Sequence, residues 1–311
     1  MSKNLKLAFI IPTKGRQKKL NILLDSINRQ TEKPDLVIIV DSSIEPMLDK
    51  INSNGLAIKY IHTGPNSLTE ARNIGIRNVP PGYHLSGFLD DDEVLYPGAL
   101  ENMLAFWQSA FSSRDIAGVA FNVVNSRKTR KFWFLKRIFF LGDSRPGNVL
   151  RSGFHTALEN INMDVRTKWL PGGSTVWRAD IFKEFMFDES FQGYGCMEDI
   201  DFSYRVSRKY ELMSLAGAKL FHVPHPINKE ESFHLGCSEI VNRFYFINKF
   251  NEFSNTLFYW ATLGRILENL VYAILTINRS YFKKAMGNIM GLKSVAFRKR
   301  GMLKNENKEG L

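Results

Sequence analysis

The first 110 residues alternate between short apolar runs and segments with helical apolar spacing, and few architectures accept that rhythm. "LKLAFIIPT" is an apolar run closed by Pro12, which reads as a buried strand. "RQKKLNILLDSINRQ" then places apolar residues at 20, 23, 24 and 27, the spacing of a helix. "PDLVIIVDSS" and "AIKYIHTG" predict a second and a third strand, the second ending on Asp41. "SLTEARNIGIRNV" predicts a helix opened by a capping box, with Ser67 as N-cap and Glu70 three residues on. "YHLSGFLDDDE" predicts a fourth strand running into acids, and "PGALENMLAFWQSAF" a helix with Pro97 near its first turn. Such alternation predicts an α/β fold: a parallel sheet with helices on both faces, whose ligands bind beyond the carboxyl ends of the strands. Pro12, Thr13, Asp41 and the acidic run all fall at those ends.

Asp90, Asp91 and Asp92 are adjacent, and like charges so close repel unless something positive sits among them. Residues two apart on an extended strand end point the same way, so Asp90 and Asp92 are expected to form a pair. Paired carboxylates suit a hard dication, Mn2+ or Mg2+, shared with substrate phosphates. An isolated acidic run is ordinarily a solvated turn. The apolar "GFL" before it favours the strand-end reading.

Three later segments add candidates. "SLAGAKLFHVPHP" predicts a last strand ending at His222 and His225, of which at most one is expected to reach a metal beside the aspartates. "EDID" places Glu198, Asp199 and Asp201 at a helix start, where acids offset the macrodipole. Arg205 is spaced to pair with Asp201, which leaves Glu198 or Asp199 as a general base. "WLPGGSTVWRADIF" predicts a strand-like piece with a turn at Gly172 and Gly173, then a short helix.

Taken in order, "FIIPTKGR", "VIIVDSS", "LTEARNIGI", "FLDDDEVLYPGAL", "LPGGSTVWRADIF" and "GCMEDIDFSYRVSRK" resemble the motifs of family 2 glycosyltransferases of the bacterial polysaccharide and cell-surface glycan type. The resemblance covers residues 5–226 and implies the GT-A fold, a nucleotide-diphosphate-sugar donor, with uridine the most frequent base, and inversion at the anomeric carbon. Pro12, Thr13 and Arg16 would line the nucleotide pocket and Asp41 would meet the base. Arg72 and Asn73 match the family's "ARN" near the donor. Asp90 and Asp92 match its DxD pair, with Asp92 and His222 holding the metal and Asp90 facing the ribose or the metal. Asp91 is expected to point away, though it is counted with the donor-binding set, as are Gly172 and Gly173. Asp199 matches the catalytic base, with Glu198 beside it. A glycan or lipid-linked acceptor is implied. The expected division is a catalytic domain over 1–228, with an acceptor-side insert at 125–165, and a helical region over 229–311.

Charge sets the remaining expectations. Lys and Arg number 42 against 31 Asp and Glu, a net of +11 that suits phosphates, nucleic acid or an anionic membrane face. No recognised nucleic-acid motif accompanies that charge. A sugar nucleotidylyltransferase would show a glycine-rich loop after the first strand, where this chain reads "PTKGRQKK". A ligand-holding protein without catalysis remains a rival. Cys196 and Cys237 are too few for a disulfide framework, which fits a reducing compartment. Neither a signal peptide nor a bulk transmembrane helix is read. Between 257 and 277, Arg265, Glu268, Asn269, Tyr272 and Thr276 form one polar stripe in an otherwise apolar helix. Such a helix, followed by many cations, predicts a cytoplasmic protein lying peripherally on the inner face of the plasma membrane; the rival is a helical cap or a subunit contact in an oligomer.

Overall fold

The computed structural model describes residues 5–125, 133–191, 196–223 and 229–306, with side chains in the last stretch from 230 to 297. His225, Arg127, Lys128, Arg130 and Lys131 lie outside the described residues, as do the side chains of Arg298, Lys299 and Arg300. Two compact units form, one from Met1–Thr129 with Ala157–Pro224, the other from Arg130–Thr156 with His225–Leu311.

The first unit is built on one mixed sheet. Strands β1 (Leu7–Thr13), β2 (Leu36–Asp41), β3 (Ile58–His62) and β4 (Leu85–Phe88) run parallel in the order β3-β2-β1-β4. Helices α1 (Gln17–Asn28) and α2 (Leu68–Arg77) make two of the crossovers between them. β1 is buried at every position, as a strand covered on both faces must be. Beyond β4 the direction changes. β8 (Thr175–Arg178) runs antiparallel between β4 and β6 (Ile116–Val123), and β9 (Glu211–His222) runs parallel to β6. Short β5 (Glu93–Leu95) and β7 (Val165–Thr167) pair antiparallel with β9. Helices α3 (Ala99–Ala110) and α5 (Glu198–Ser207) complete the unit. The parallel half matches the sequence reading; β5, β6 and β7 were not read there.

The capping box of α2 is present: Ser67 Oγ accepts from Glu70 N, and the Glu70 carboxylate accepts from Ser67 N. Ser67→Ala is expected to cost about 1 kcal/mol of stability, read by chemical denaturation.

The second unit contains α4 (Trp133–Ile138), the segment 139–156, and three long helices: α6 (Lys229–Asn248), α7 (Asn255–Thr276) and α8 (Arg279–Glu306). The sequence reading assigned 125–165 to the catalytic domain, whereas Arg130–Thr156 groups with the helices. The reason is packing: Phe139 stacks on Trp260 at 4.9 Å, Lys136 pairs with Glu268 at 3.2 Å, and Ser254 N donates to Arg151 O. α6 and α8 approach backbone to backbone at Gly236, Gly287 and Gly291, where any Cβ would overlap the facing main chain.

The polar stripe of α7 packs inward over Arg265, Glu268 and Asn269, while Thr276 at its end is exposed. Arg265 pairs with Glu268 at 2.5 Å and with Glu239 of α6 at 3.1 Å, and Asn269 donates to Asn288 of α8 at 2.8 Å. Burial would raise the Glu239 carboxyl, but Arg265, Lys284 and Arg243 outweigh it and hold it down to about 2. A stripe that satisfies its own charges inside the unit needs no water. No helix among the described residues is long and apolar enough to cross a membrane.

Candidate functional site

Two adjoining cavities of about 480 and 590 Å³ open along the carboxyl ends of the parallel strands, and both volumes suit a ligand-sized molecule. The first is walled by Pro12 and Thr13 at the end of β1, Arg16 just after it, Ser42 after β2, and Asn66, Ser67 and Leu68 at the start of α2. A helix N-terminus at such a wall favours anions. Asp90, Asp91 and Asp92 close it. Leu68, Asp90 and His222 are shared with the second cavity, which Arg72, Glu93, Gly172, Gly173, Glu198 and Asp199 also line.

The three aspartates do not sit on a straight strand end. The chain turns between β4 and β5, with Glu93 N donating to Asp90 O, and the side chains fan apart. The expected like-pointing pair of Asp90 and Asp92 is therefore corrected: a turn replaces the extended geometry on which it relied. Asp91 is buried, accepting from Thr13 Oγ1 at 2.7 Å and from Arg16 Nη1 at 3.1 Å. Asp92 lies 3.3 Å from Lys19 Nζ, 3.4 Å from Arg16 Nη1 and 3.3 Å from His222 Nε2. Asp90 is the most open of the three, 39% exposed, and meets Arg72 at 3.4 Å. The crowded charge is thus offset first by the protein's own cations. Burial would raise the Asp92 carboxyl, but His222 and Lys19 win and hold it below the usual carboxylate range. The hydrogen bond to Asp92 raises His222 in return.

Strand pairing sets the Asp92–His222 contact. Glu93 of β5 stands opposite His222 of β9, and Val223 N donates to Asp92 O at 2.7 Å. No cluster of three or more His, Cys, Asp or Glu among the described residues forms a ready metal cage. The donor set still fits a dication. Two ligand atoms on one octahedral ion, each about 2.1 Å from it, lie about 3 Å apart, and Asp92 Oδ1 and His222 Nε2 are 3.3 Å apart. Mg2+ and its kin commonly take one or two carboxylates and complete their shell with substrate phosphates and water.

In the second cavity, the first turn of α5 presents Glu198 and Asp199, with Met197 before them in the left-handed region at φ 81°. A side-chain-bearing residue held there is uncommon and recurs at functional sites. Arg72, itself buried, pairs with Glu198 at 3.1 Å. Burial opposes the charge of Arg72, yet Asp90, Glu198 and Asp199 outweigh it and keep the guanidinium protonated. Gly172 and Gly173 make this approach possible, since a Cβ at the first would overlap the Arg72 guanidinium and at the second the Asp90 carboxylate. Burial and the neighbouring Glu198 charge push the Asp199 carboxyl up to about 7. Asp201 instead pairs with Arg205 at 2.9 Å.

Two expected donor residues stand elsewhere. Asp41 is fully buried and lines neither cavity: its carboxylate accepts from Ser43 N, Ser43 Oγ, Met47 N and the Tyr60 hydroxyl. Asn73 is spent on Phe187, exchanging hydrogen bonds with its backbone N–H and C=O, and on Glu189. Two residues the sequence reading passed over belong to the site. Lys19 reaches Asp92 from α1. Glu93 accepts from Ser174 Oγ and from Asp90 N, and burial with the Asp90 charge pushes its carboxyl up to about 8. Its place directly after the aspartates was the signal for it.

A ligand-sized cleft thus lies at the switch from parallel to antiparallel strands, with an acidic turn on one side and a raised carboxyl on the other. The model of Glycosyl transferase family 2 matches residues 8–160. The uncharacterized glycosyltransferase YwdF of Bacillus subtilis (strain 168) is 27% identical over 237 residues, covering 75% of this chain and 80% of that protein. The minor teichoic acid biosynthesis protein GgaA of the same organism is 24% identical over 199 residues; the match covers 60% of this chain and 40% of GgaA. Among solved structures, GalNAc-T7 with UDP, GalNAc and Mn2+ superposes with a TM-score of 0.56 at 15% identity, over 88% of this chain and 58% of that one. Residues 8–160 resemble glycosyl transferase family 2, and the chain is a glycosyltransferase with the GT-A fold.

Proposed function

We propose that the chain transfers a sugar from a uridine-diphosphate donor to a hydroxyl of a glycan or lipid-linked acceptor, with inversion at the anomeric carbon. One observation carries the reading: the Asp92–His222 pair and Asp199 line adjoining cavities that share Asp90. A leaving diphosphate and an attacking hydroxyl need such separate stations. The first cavity takes the nucleotide, with the α2 N-terminus, Arg16 and Lys14 facing anionic oxygens. Asp199 accepts the proton of the acceptor hydroxyl as its oxygen bonds to the anomeric carbon. The bond from that carbon to the diphosphate oxygen breaks on the opposite face. A carboxyl held up to about 7 suits this work, because a base is most effective when its pKa lies near working pH. Mn2+ or Mg2+ on Asp92 and His222, with Asp90 nearby, would supply neutralising charge for the departing diphosphate.

The UDP, GalNAc and Mn2+ named for the GalNAc-T7 structure and the teichoic acid role named for GgaA support testing uridine donors and cell-wall-type acceptors first. We place the activity on the cytoplasmic face of a membrane, where a lipid-linked acceptor would be presented. A thermal-shift panel of nucleotide-sugars with and without Mn2+ tests the donor assignment. The true donor should raise Tm with the logarithm of ligand excess over Kd, and Asp92→Ala should abolish the added effect of Mn2+. A panel in which no nucleotide-sugar shifts Tm sinks the reading.

A further inference from the structure

Besides its buried core, the helical unit carries a run of exposed apolar residues. Along α7, Trp260, Leu263, Leu267 and Ile274 are exposed at positions i, i+3, i+7 and i+14, which lie on one face. Leu275 and Ile277 extend it through the turn to α8, where Phe282, Met286, Met290 and Phe297 are exposed in turn. The inward polar stripe contributes to this: Arg265, Glu268 and Asn269 share the packed face of α7 with Phe258, Ala261 and Ile266, and the other apolar side chains are left outside. The turn is the extreme case, with Ile274 77%, Leu275 61% and Ile277 91% exposed. Ile277 also sits at φ 51°, the left-handed position after a helix that glycine or asparagine normally fills. Neither folding nor solubility asks for isoleucine there. Trp260 joins this face to α4, donating from Nε1 to Ile138 O, and Trp133, Phe134 and Ile138 are exposed beside it.

Charge decides what covers such a surface. From 253 to 305 the chain carries nine cations (Arg265, Arg279, Lys283, Lys284, Lys293, Arg298, Lys299, Arg300 and Lys304) and one acid, Glu268. Glu268 is turned inward onto Lys136 and Arg265, while Arg279, Lys283 and Lys293 are exposed. A second copy of so basic a face would be repelled. An anionic bilayer attracts the cations and takes up the apolar side chains.

We propose that the outward face of α7 and α8 docks on an anionic lipid surface, with Ile274, Leu275, Ile277 and Phe282 entering the acyl boundary and Arg279, Lys283 and Lys293 held at the headgroups. The proposal rests on the membrane-side placement of the enzyme and names the surface that achieves it. Aromatic residues such as Trp133 and Trp260 suit the same boundary, having an apolar body and a polar edge. The helices lie on the bilayer and do not span it.

Co-sedimentation of the full chain with vesicles of phosphatidylcholine alone, or with phosphatidylglycerol added, tests the docking. Anionic vesicles should bind at least about tenfold more protein than neutral ones, and the excess should fall with salt. Ile274→Glu with Leu275→Glu should lower binding by about tenfold or more. Ile277→Gly keeps the test independent of folding damage: it should raise Tm by relieving the left-handed turn, yet weaken vesicle binding several-fold. Donor hydrolysis should be unchanged in both variants. Equal binding of wild type and the double glutamate variant would overturn the proposal. So would a wild-type dimer that the same variant splits without any vesicle binding, since a second copy would then be the occupant. Vesicle binding without turnover of any nucleotide-sugar would instead strike the sugar-transfer reading and leave the docking face standing.

Discussion

Asp199→Asn is expected to lower kcat by about a hundredfold to ten-thousandfold while leaving donor affinity nearly unchanged. The asparagine keeps the shape of the side chain but accepts no proton, and Asp199 lines the second cavity, apart from the wall where the nucleotide is expected. Activity should also carry the mark of the raised carboxyl. Below about pH 7 the free enzyme holds Asp199 mostly protonated, so kcat/KM should climb by about tenfold per pH unit and level off above that point. Stability should move the other way. The folded carboxyl keeps its proton up to about 7, whereas the unfolded one releases it near 3.8, so between those values the folded state binds more protons. The contribution of this group is therefore fully present below the unfolded value and is lost as pH rises through about 7. Asp199→Asn should flatten that part of the stability profile. A variant with near-normal kcat and an unchanged acid limb would show that another group takes the proton.

The parallel half of the sheet was legible because covered strands must be apolar along their whole length and crossover helices must be amphipathic; β1, α1, β2 and α2 each carry one of those marks. The other half was less so. β6 contributes "IAGVAFNV", which reads equally as strand or buried helix, and its neighbour in the sheet is β8, more than 50 residues later in sequence. β5 and β7 have three residues each, too few for any period. At the site, residue types and spacing pointed to Asp90, Asp92, Glu198 and Asp199, but not to direction. The fan of the aspartates follows from a turn, and the closure of Asp41 from Tyr60 and Met47, neither of which marks itself locally. The stripe of α7 was visible as a stripe; that it faces inward depends on Glu239 and Asn288, on other helices. Periodicity reports that a helix has two faces, and only its partners decide which one packs.

Arg72→Met should destabilise the first unit by about 3–5 kcal/mol, the usual cost of removing one partner from a buried ion pair. The Arg72 side chain is 2% exposed and that of Glu198 4%, so neither finds water when the other is lost. Arg72 belongs to α2 and Glu198 to α5, and the pair therefore ties together two helices that share the second cavity. The guanidinium also lies over the Phe187 ring, 5.3 Å from its centroid, a contact methionine only partly replaces. Denaturation followed by the fluorescence of buried Trp107 and Trp177 measures the loss. Adding Glu198→Gln should restore more than half of it, because the amide carries no stranded charge; a coupling of about 1–3 kcal/mol is the expected size for groups in contact. Arg72→Lys should restore less, since one ammonium cannot fork between Glu198 and Asp90. The kinetic consequence separates this from ordinary core damage. Arg72 is the positive charge that draws the Asp199 carboxyl down against burial and Glu198. Without it the acid limb of kcat/KM should move to higher pH in Arg72→Met, and the double variant, which also loses the Glu198 charge that pushes Asp199 up, should bring the limb back. A stability loss below about 1 kcal/mol with the limb in place would mean that water screens the pair, and that α2 and α5 are held by their apolar contacts alone.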